Sequence, residues 1–196
     1  MLTIDGLKEA LRNAQSEIEA HKDTLTDLDR AIGDGDHGIN MSRGFDAVSA
    51  ILDDDYESLG ALSKKVGMTL MAKVGGAAGP LYGSAFVKAA TAFGDATEAD
   101  FPLVKQALEE GAASIKARGK SEVGQKTMVD VWEPFLKGLS DSDDYAEKLD
   151  RLVHDTEDMK ATKGRASYFG ENSRGTVDPG AMSSAIILKA IMKEVG

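Results

Sequence analysis

A chain of 196 residues suits one domain, 1–196, and can bury a sizeable core. Asp and Glu outnumber Lys and Arg by 33 to 23, a formal charge of −10, which rules against general nucleic-acid binding because phosphate contacts need basic surface. Without cysteine there are no disulfides or thiolate metal sites, and with no membrane-length apolar run and no signal-peptide pattern in Met1 to Asp5 the sequence reads as cytoplasmic, with no membrane partner.

Apolar residues recur with a period of about 3.6, and no segment alternates convincingly as a strand would. Leu7, Leu11, Ala14, Ile18, Leu25, Leu28 and Ile32 form one stripe and predict a single helix over roughly 5–31. A second helix, about 38–53, carries Met41, Phe45, Val48 and Leu52. Ser58 is placed to cap a third with Leu59, Leu62, Val66, Leu70 and Val74, and Pro80 to open a fourth through Val87 and Phe93. Asp100 and Pro102 start a fifth with Leu103, Leu108 and Ile115. Thr127 opens a sixth with Met128, Val131, Trp132, Phe135 and Leu139. Asp143 opens a seventh reaching Met159, and Asp178-Pro179 is a cap-plus-proline start for an eighth with Met182, Ile186 and Ile191.

Short connections favour antiparallel neighbours, so the expected fold is all-α: a single-domain, eight-helix, antiparallel up-and-down barrel. Alternate loops then share an end. Loops after the second, fourth and sixth helices are short and acidic, as in Asp53-Asp54-Asp55. Those after the first, third, fifth and seventh are glycine-rich or basic: Gly33 to His37, Gly75 to Gly79, Gly119 to Lys126 and Gly164 to Gly175. Glycine lets backbone N–H groups approach a ligand, and Lys and Arg complement phosphate. One end of the barrel therefore reads as a site.

Three carboxylates within eight residues, Asp29, Asp34 and Asp36, repel one another unless a cation joins them, and oxygen donors suit Mg²⁺ or Ca²⁺ rather than zinc. Any one of these aspartates alone reads more simply as a turn, cap or surface residue; three beside His37-Gly38 reverse that balance. An EF-hand does not fit, because Ile39 and Phe45 stand where its Gly and Glu belong. The helix start that follows offers free N–H groups and a positive dipole end to an anion, so carboxylates, Mg²⁺ and phosphate form one coherent assembly. His37 has three open roles: phosphoryl acceptor, general base, or loop residue beside phosphates. His21 and His154 fall within predicted helices and read as solvated. Ser114 to Ser121 imitates a P-loop but lacks its first glycine and a preceding strand, so only Gly119 is kept as a site-facing residue. Met128 is most simply core, with a nucleobase contact as the sharper alternative. Lys163 to Gly175 is long for a helix connection, and its two aromatics and two arginines predict an ordered lid.

Taken in order, Asp29, Asp34, Asp36-His37-Gly38, Gly75 to Gly83, Arg118-Gly119-Lys120, Lys126 to Trp132, Lys163 to Tyr168 and Asp178-Pro179-Gly180 make the chain similar, along its whole length, to the nucleotide-binding L subunits of dihydroxyacetone kinases fuelled by the phosphoenolpyruvate phosphotransferase system. The resemblance implies an eight-helix barrel holding ADP and two Mg²⁺ at one end. It implies that a phosphohistidine on an M subunit converts bound ADP to ATP, and that the group passes to dihydroxyacetone on a K subunit. Asp29, Asp34 and Asp36 would hold Mg²⁺, with Arg165 as an extra catalytic cation. His37, Gly38, Ile39, Asn40, Ala78, Gly79, Gly119, Met128, Arg165, Asp178, Pro179 and Gly180 would line the nucleotide. The alternatives are the nucleotide domain of a related ATP-dependent kinase, a nucleotide-sensing regulatory protein, and a plain helical scaffold; the scaffold leaves the one-sided loops unexplained.

Overall fold

In the computed structural model, which describes residues 1–196, the helical periodicity resolves into α1 (Ile4–Ala20), α2 (Lys22–Ile32), α3 (His37–Ser49), α4 (Leu59–Lys73), α5 (Ala78–Phe93), α6 (Phe101–Gly119), α7 (Val129–Leu136), α8 (Tyr145–Asp155) and α9 (Pro179–Lys193). A 3₁₀ helix, Arg165–Ser173, lies between α8 and α9. Short side-chain acceptors fix several starts. Ser58 Oγ accepts from Ala61 N at 3.0 Å, Asp100 Oδ1 from Leu103 N at 3.0 Å, and Asp178 Oδ2 from Ala181 N at 2.8 Å, as their spacing predicts.

The single helix expected over 5–31 divides at His21, whose φ of −104° and ψ of 11° leave the helical region. Its ring Nδ1 and its backbone N–H both take the Glu17 carbonyl, at 2.9 and 3.0 Å, so the turn is loaded twice where the chain bends. The second helix stops at Ser49 instead of 53, because Ile51 and Leu52 tighten onto carbonyls three residues back. The fourth begins at Ala78, placing Pro80 inside a first turn that needs no N–H from it. The sixth starts at Val129 after Thr127 Oγ1 accepts the Val129 N–H, and it ends before Leu139. The seventh is capped by Asp144, since Asp143 is engaged with Ser140 N and Lys148, and it ends at Asp155, short of Met159. Two strands also form, β1 (Leu2–Thr3) and β2 (Glu98–Ala99), antiparallel with Leu2 opposite Ala99. Two residues each are too few to show alternation.

Packing neighbours run α1–α3–α4–α5–α6–α7–α8–α9 and return to α1, closing an antiparallel helical barrel with α2 laid against α3 and α9. One connected cluster of buried apolar side chains fills it, drawing on every α-helix except α2. No helix is long and apolar enough to cross a membrane.

Candidate functional site

Up-and-down topology sends the starts of α3, α5, α7 and α9 to one end of the barrel, and there they surround a cleft of about 570 Å³. All four glycine-rich or basic loops line it. The N-cap residues of α2, α3, α5 and α7 give no side-chain cap, whereas those of α1, α4, α6, α8 and α9 do; in α3 and α7 the first N–H is taken instead by Asp29 Oδ2 and Thr127 Oγ1. The first-turn N–H groups that remain free where these helices meet the cleft suit an anion.

Of the expected site residues, Asp29, Asp34, Asp36, His37, Asn40, Ala78, Gly119, Met128, Arg165, Asp178, Pro179 and Gly180 border the cleft. Gly38, Ile39 and Gly79 do not. Gly38 is packed where a Cβ would lie 2.0 Å from the Lys22 carbonyl, and Ile39 is 49% exposed.

Carboxylate oxygens of Asp29, Asp34 and Asp36 lie within 4.8 Å of one another. Asp29 Oδ2 accepts from the N–H groups of Asp36 and His37, at 2.9 and 3.0 Å, which draws the loop back over the end of α2. Its Oδ1 occupies the space beside Gly33, where a Cβ would stand 2.2 Å away. Asp34 meets Arg165 Nε at 3.3 Å, so the lid contributes a cation to the cluster. Three hard oxygen donors this close together fit a divalent ion of the Mg²⁺ class.

Loop order behind this cluster depends on Lys126 and Asp130, which the sequence places in a motif without giving either a role, and on Ser173. Lys126, 1% exposed and with a left-handed φ of 61°, sends its ammonium to the carbonyls of Glu157, Ser173 and Thr176 at 3.2, 2.6 and 2.5 Å. Burial pushes its pKa down, against the pull of Asp178 and Glu157. Asp130, also buried, accepts from Gly124 N and Thr127 N. Ser173 Oγ accepts from Ala161 N and donates to Gly170 O. The segment expected to form an ordered lid is ordered, but Tyr168 is 89% exposed, so backbone clamping and not aromatic packing orders it.

Asp178 caps α9 from full burial, and its pKa is pushed up to about 7: desolvation dominates, Asp130 and Asp29 add to it, and the Ala181 N–H and Lys126 oppose it. His37 is held below the ordinary imidazole range by burial, with Asp29 and Asp36 opposing. Its Nε2 lies 2.8 Å from Ser183 Oγ. His154 is solvated as expected; His21 sits half-buried at the α1–α2 break.

Compared with known proteins, residues 31–193 match the DAK2 domain. A Listeria innocua protein named PEP-dependent dihydroxyacetone kinase 1, ADP-binding subunit DhaL, is 44% identical over 93% of this chain and 92% of its own length. A Lactococcus lactis protein named PTS-dependent dihydroxyacetone kinase, ADP-binding subunit DhaL, is 42% identical over the full length of both. The solved dihydroxyacetone kinase of C. freundii in complex with AMP-PNP and Mg²⁺ shares the fold, with a TM-score of 0.72 and 23% identity over 97% of this chain and 33% of that one.

Proposed function

The chain belongs to the DAK2 domain family, among the ADP-binding subunits of phosphoenolpyruvate-dependent dihydroxyacetone kinases, and on that premise we propose that it carries the nucleotide in a phosphoryl relay. In this reading ADP and two Mg²⁺ occupy the cleft, a phosphohistidine of an M subunit is the donor, and dihydroxyacetone on a K subunit is the acceptor. The observation that carries it is the meeting, in one cleft, of three clustered carboxylates with the starts of α3, α5 and α7, none of which is capped by the side chain of its own N-cap residue.

Asp29, Asp34 and Asp36 are the residues suited to hold the metal, and the first-turn N–H groups of α3 and α5 are suited to phosphate oxygens. Bound there, the magnesium nucleotide supplies the transferable phosphoryl group and charge neutralisation on its oxygens. The protein's own part is positioning. Asp29 fixes the α2–α3 loop, Arg165 brings positive charge from the lid, and Met128 packs beside Gly180 on the apolar side of the cleft. No side chain is required as a base here if the acceptor is activated on another subunit.

Native mass spectrometry after exhaustive dialysis tests retention: a mass excess of ADP plus two Mg²⁺ supports a resident cofactor, whereas a bare chain favours exchangeable ATP and the related-kinase alternative. With M and K subunits supplied, Asp34→Ala should abolish transfer while the helical circular dichroism spectrum is retained. Unchanged transfer would remove the site assignment.

A further inference from the structure

Beneath the carboxylate cluster, five side chains from four helices form an unbroken line of hydrogen bonds. The Trp132 indole N–H donates to Ser184 Oγ at 3.0 Å, Ser184 Oγ is 2.8 Å from the Tyr82 hydroxyl, Tyr82 is 2.6 Å from Ser183 Oγ, and Ser183 Oγ is 2.8 Å from His37 Nε2. Tyr82, Ser183 and Ser184 are wholly buried. Buried hydroxyls are costly unless satisfied, and an apolar set of similar shape would fill the barrel at least as well.

Counting protons gives the line a direction. An indole N–H only donates. Ser184 receives that bond, so its own proton goes to Tyr82, its one other side-chain partner. Tyr82 then donates onward, with Ser183 Oγ at 2.6 Å closer than the Gly180 carbonyl at 3.1 Å. Ser183 in turn has His37 Nε2 at 2.8 Å against the Gly180 carbonyl at 3.2 Å. We propose that the line runs one way, from Trp132 to His37, and holds His37 Nε2 as an acceptor, so that the neutral ring carries its proton on Nδ1. Which ring nitrogen is protonated follows from the bond the other makes.

The consequence is chemical. Nε2 is occupied and is not a phosphoryl acceptor. Nδ1 makes no hydrogen bond within the protein and belongs to a residue of the cleft wall, so His37 presents a fixed N–H donor suited to an anionic oxygen. Ser183 and Tyr82 act through it as positioning residues. The donor role toward a phosphate rests on the proposed nucleotide reading; the tautomer does not.

¹⁵N NMR of the full chain without nucleotide, at about pH 8.5 where imidazole is neutral, reads the tautomer directly. Three histidines give three ring patterns, and a His37→Gln variant assigns the relevant one. The expected spectrum has a pyridine-type Nε2 and a pyrrole-type Nδ1 for His37. Ser183→Ala and Tyr82→Phe should each move the proton toward Nε2, and Ser183→Thr should restore the original pattern. Titrated with ADP and Mg²⁺, Ser183→Ala should bind roughly tenfold more weakly and Ser183→Thr close to normally. A pyrrole-type Nε2 in the unaltered protein overturns the proposal however the variants fold, as does a tautomer unmoved in both Ser183→Ala and Tyr82→Phe. Equal ADP affinity in Ser183→Ala overturns the donor role. Because the spectrum is recorded without nucleotide, its failure is distinct from failure of the nucleotide reading.

Discussion

Lys126→Met keeps the side-chain stem and removes the ammonium that joins the loop before α7 to the lid. Its three N–H donors serve the carbonyls of Glu157, Ser173 and Thr176 at 3.2, 2.6 and 2.5 Å. The Glu157 carbonyl keeps the Gly175 N–H, so the carbonyls of Ser173 and Thr176 are left without a partner; at about 1–3 kcal/mol each, two fixed in place would lose about 2–6 kcal/mol. Two effects reduce that sum. Met carries no desolvation penalty for a buried charge, and the segment 157–176 can open locally to let its carbonyls reach water. The expected net loss is about 2–4 kcal/mol, at the lower side of what deleting one partner of a buried charged contact costs. For a chain of 196 residues that lowers the thermal midpoint by about 10 °C. Urea melts give the global value, and hydrogen exchange read by mass spectrometry follows the amides of Ala161 and Gly175, which bond to Ser173 Oγ and the Glu157 carbonyl. Both amides should lose protection before the barrel does. Lys126→Arg should not restore it, because a planar five-donor guanidinium does not match three carbonyls gathered around one nitrogen. A loss below about 1 kcal/mol together with unchanged protection over 157–176 would refute the clamp.

Gly33→Ala tests the cluster without touching a charge: the backbone φ of −154° accepts alanine, but the new Cβ would sit 2.2 Å from Asp29 Oδ1 and turn that carboxylate away from the Asp36 and His37 N–H groups. Calorimetry should show about 1–2 kcal/mol lost in stability and a larger fall in Mg²⁺-dependent ADP affinity; unchanged affinity would exclude Asp29 from the metal site. Asp178 keeps its proton up to about 7 when folded and releases it near the ordinary carboxylate range when unfolded. The native state therefore binds the extra proton between those values, and stability falls as pH rises through that window. Asp178→Asn removes this term, so its stability relative to the unaltered protein should rise by about 2 kcal/mol between about pH 5 and about pH 8; a difference flat with pH contradicts the assignment. Arg165→Met breaks an exposed pair with Asp34, so urea midpoints should show a loss below about 1 kcal/mol, while phosphoryl transfer with partner subunits should drop at least about tenfold. Equal activity would leave Arg165 as surface charge.

Helix periodicity, the caps at Ser58, Asp100 and Asp178, and the parity of an up-and-down barrel were enough to put four loops at one end and Asp29, Asp34 and Asp36 in one cluster. Those signals are local: a cap acts over three residues and a stripe repeats every turn, so residue identities spell them out. The break at His21 was less legible, because the stripe passes from Ile18 to Leu25 with no residue marking the bend. Tertiary structure alone decided what orders the lid and what sets His37. Lys126 reaches carbonyls 31, 47 and 50 residues away, and the His37 line crosses from Trp132 through α9 and α5. Every residue carries a main-chain carbonyl, so a clamp made of carbonyls leaves no mark on the sequence that supplies them.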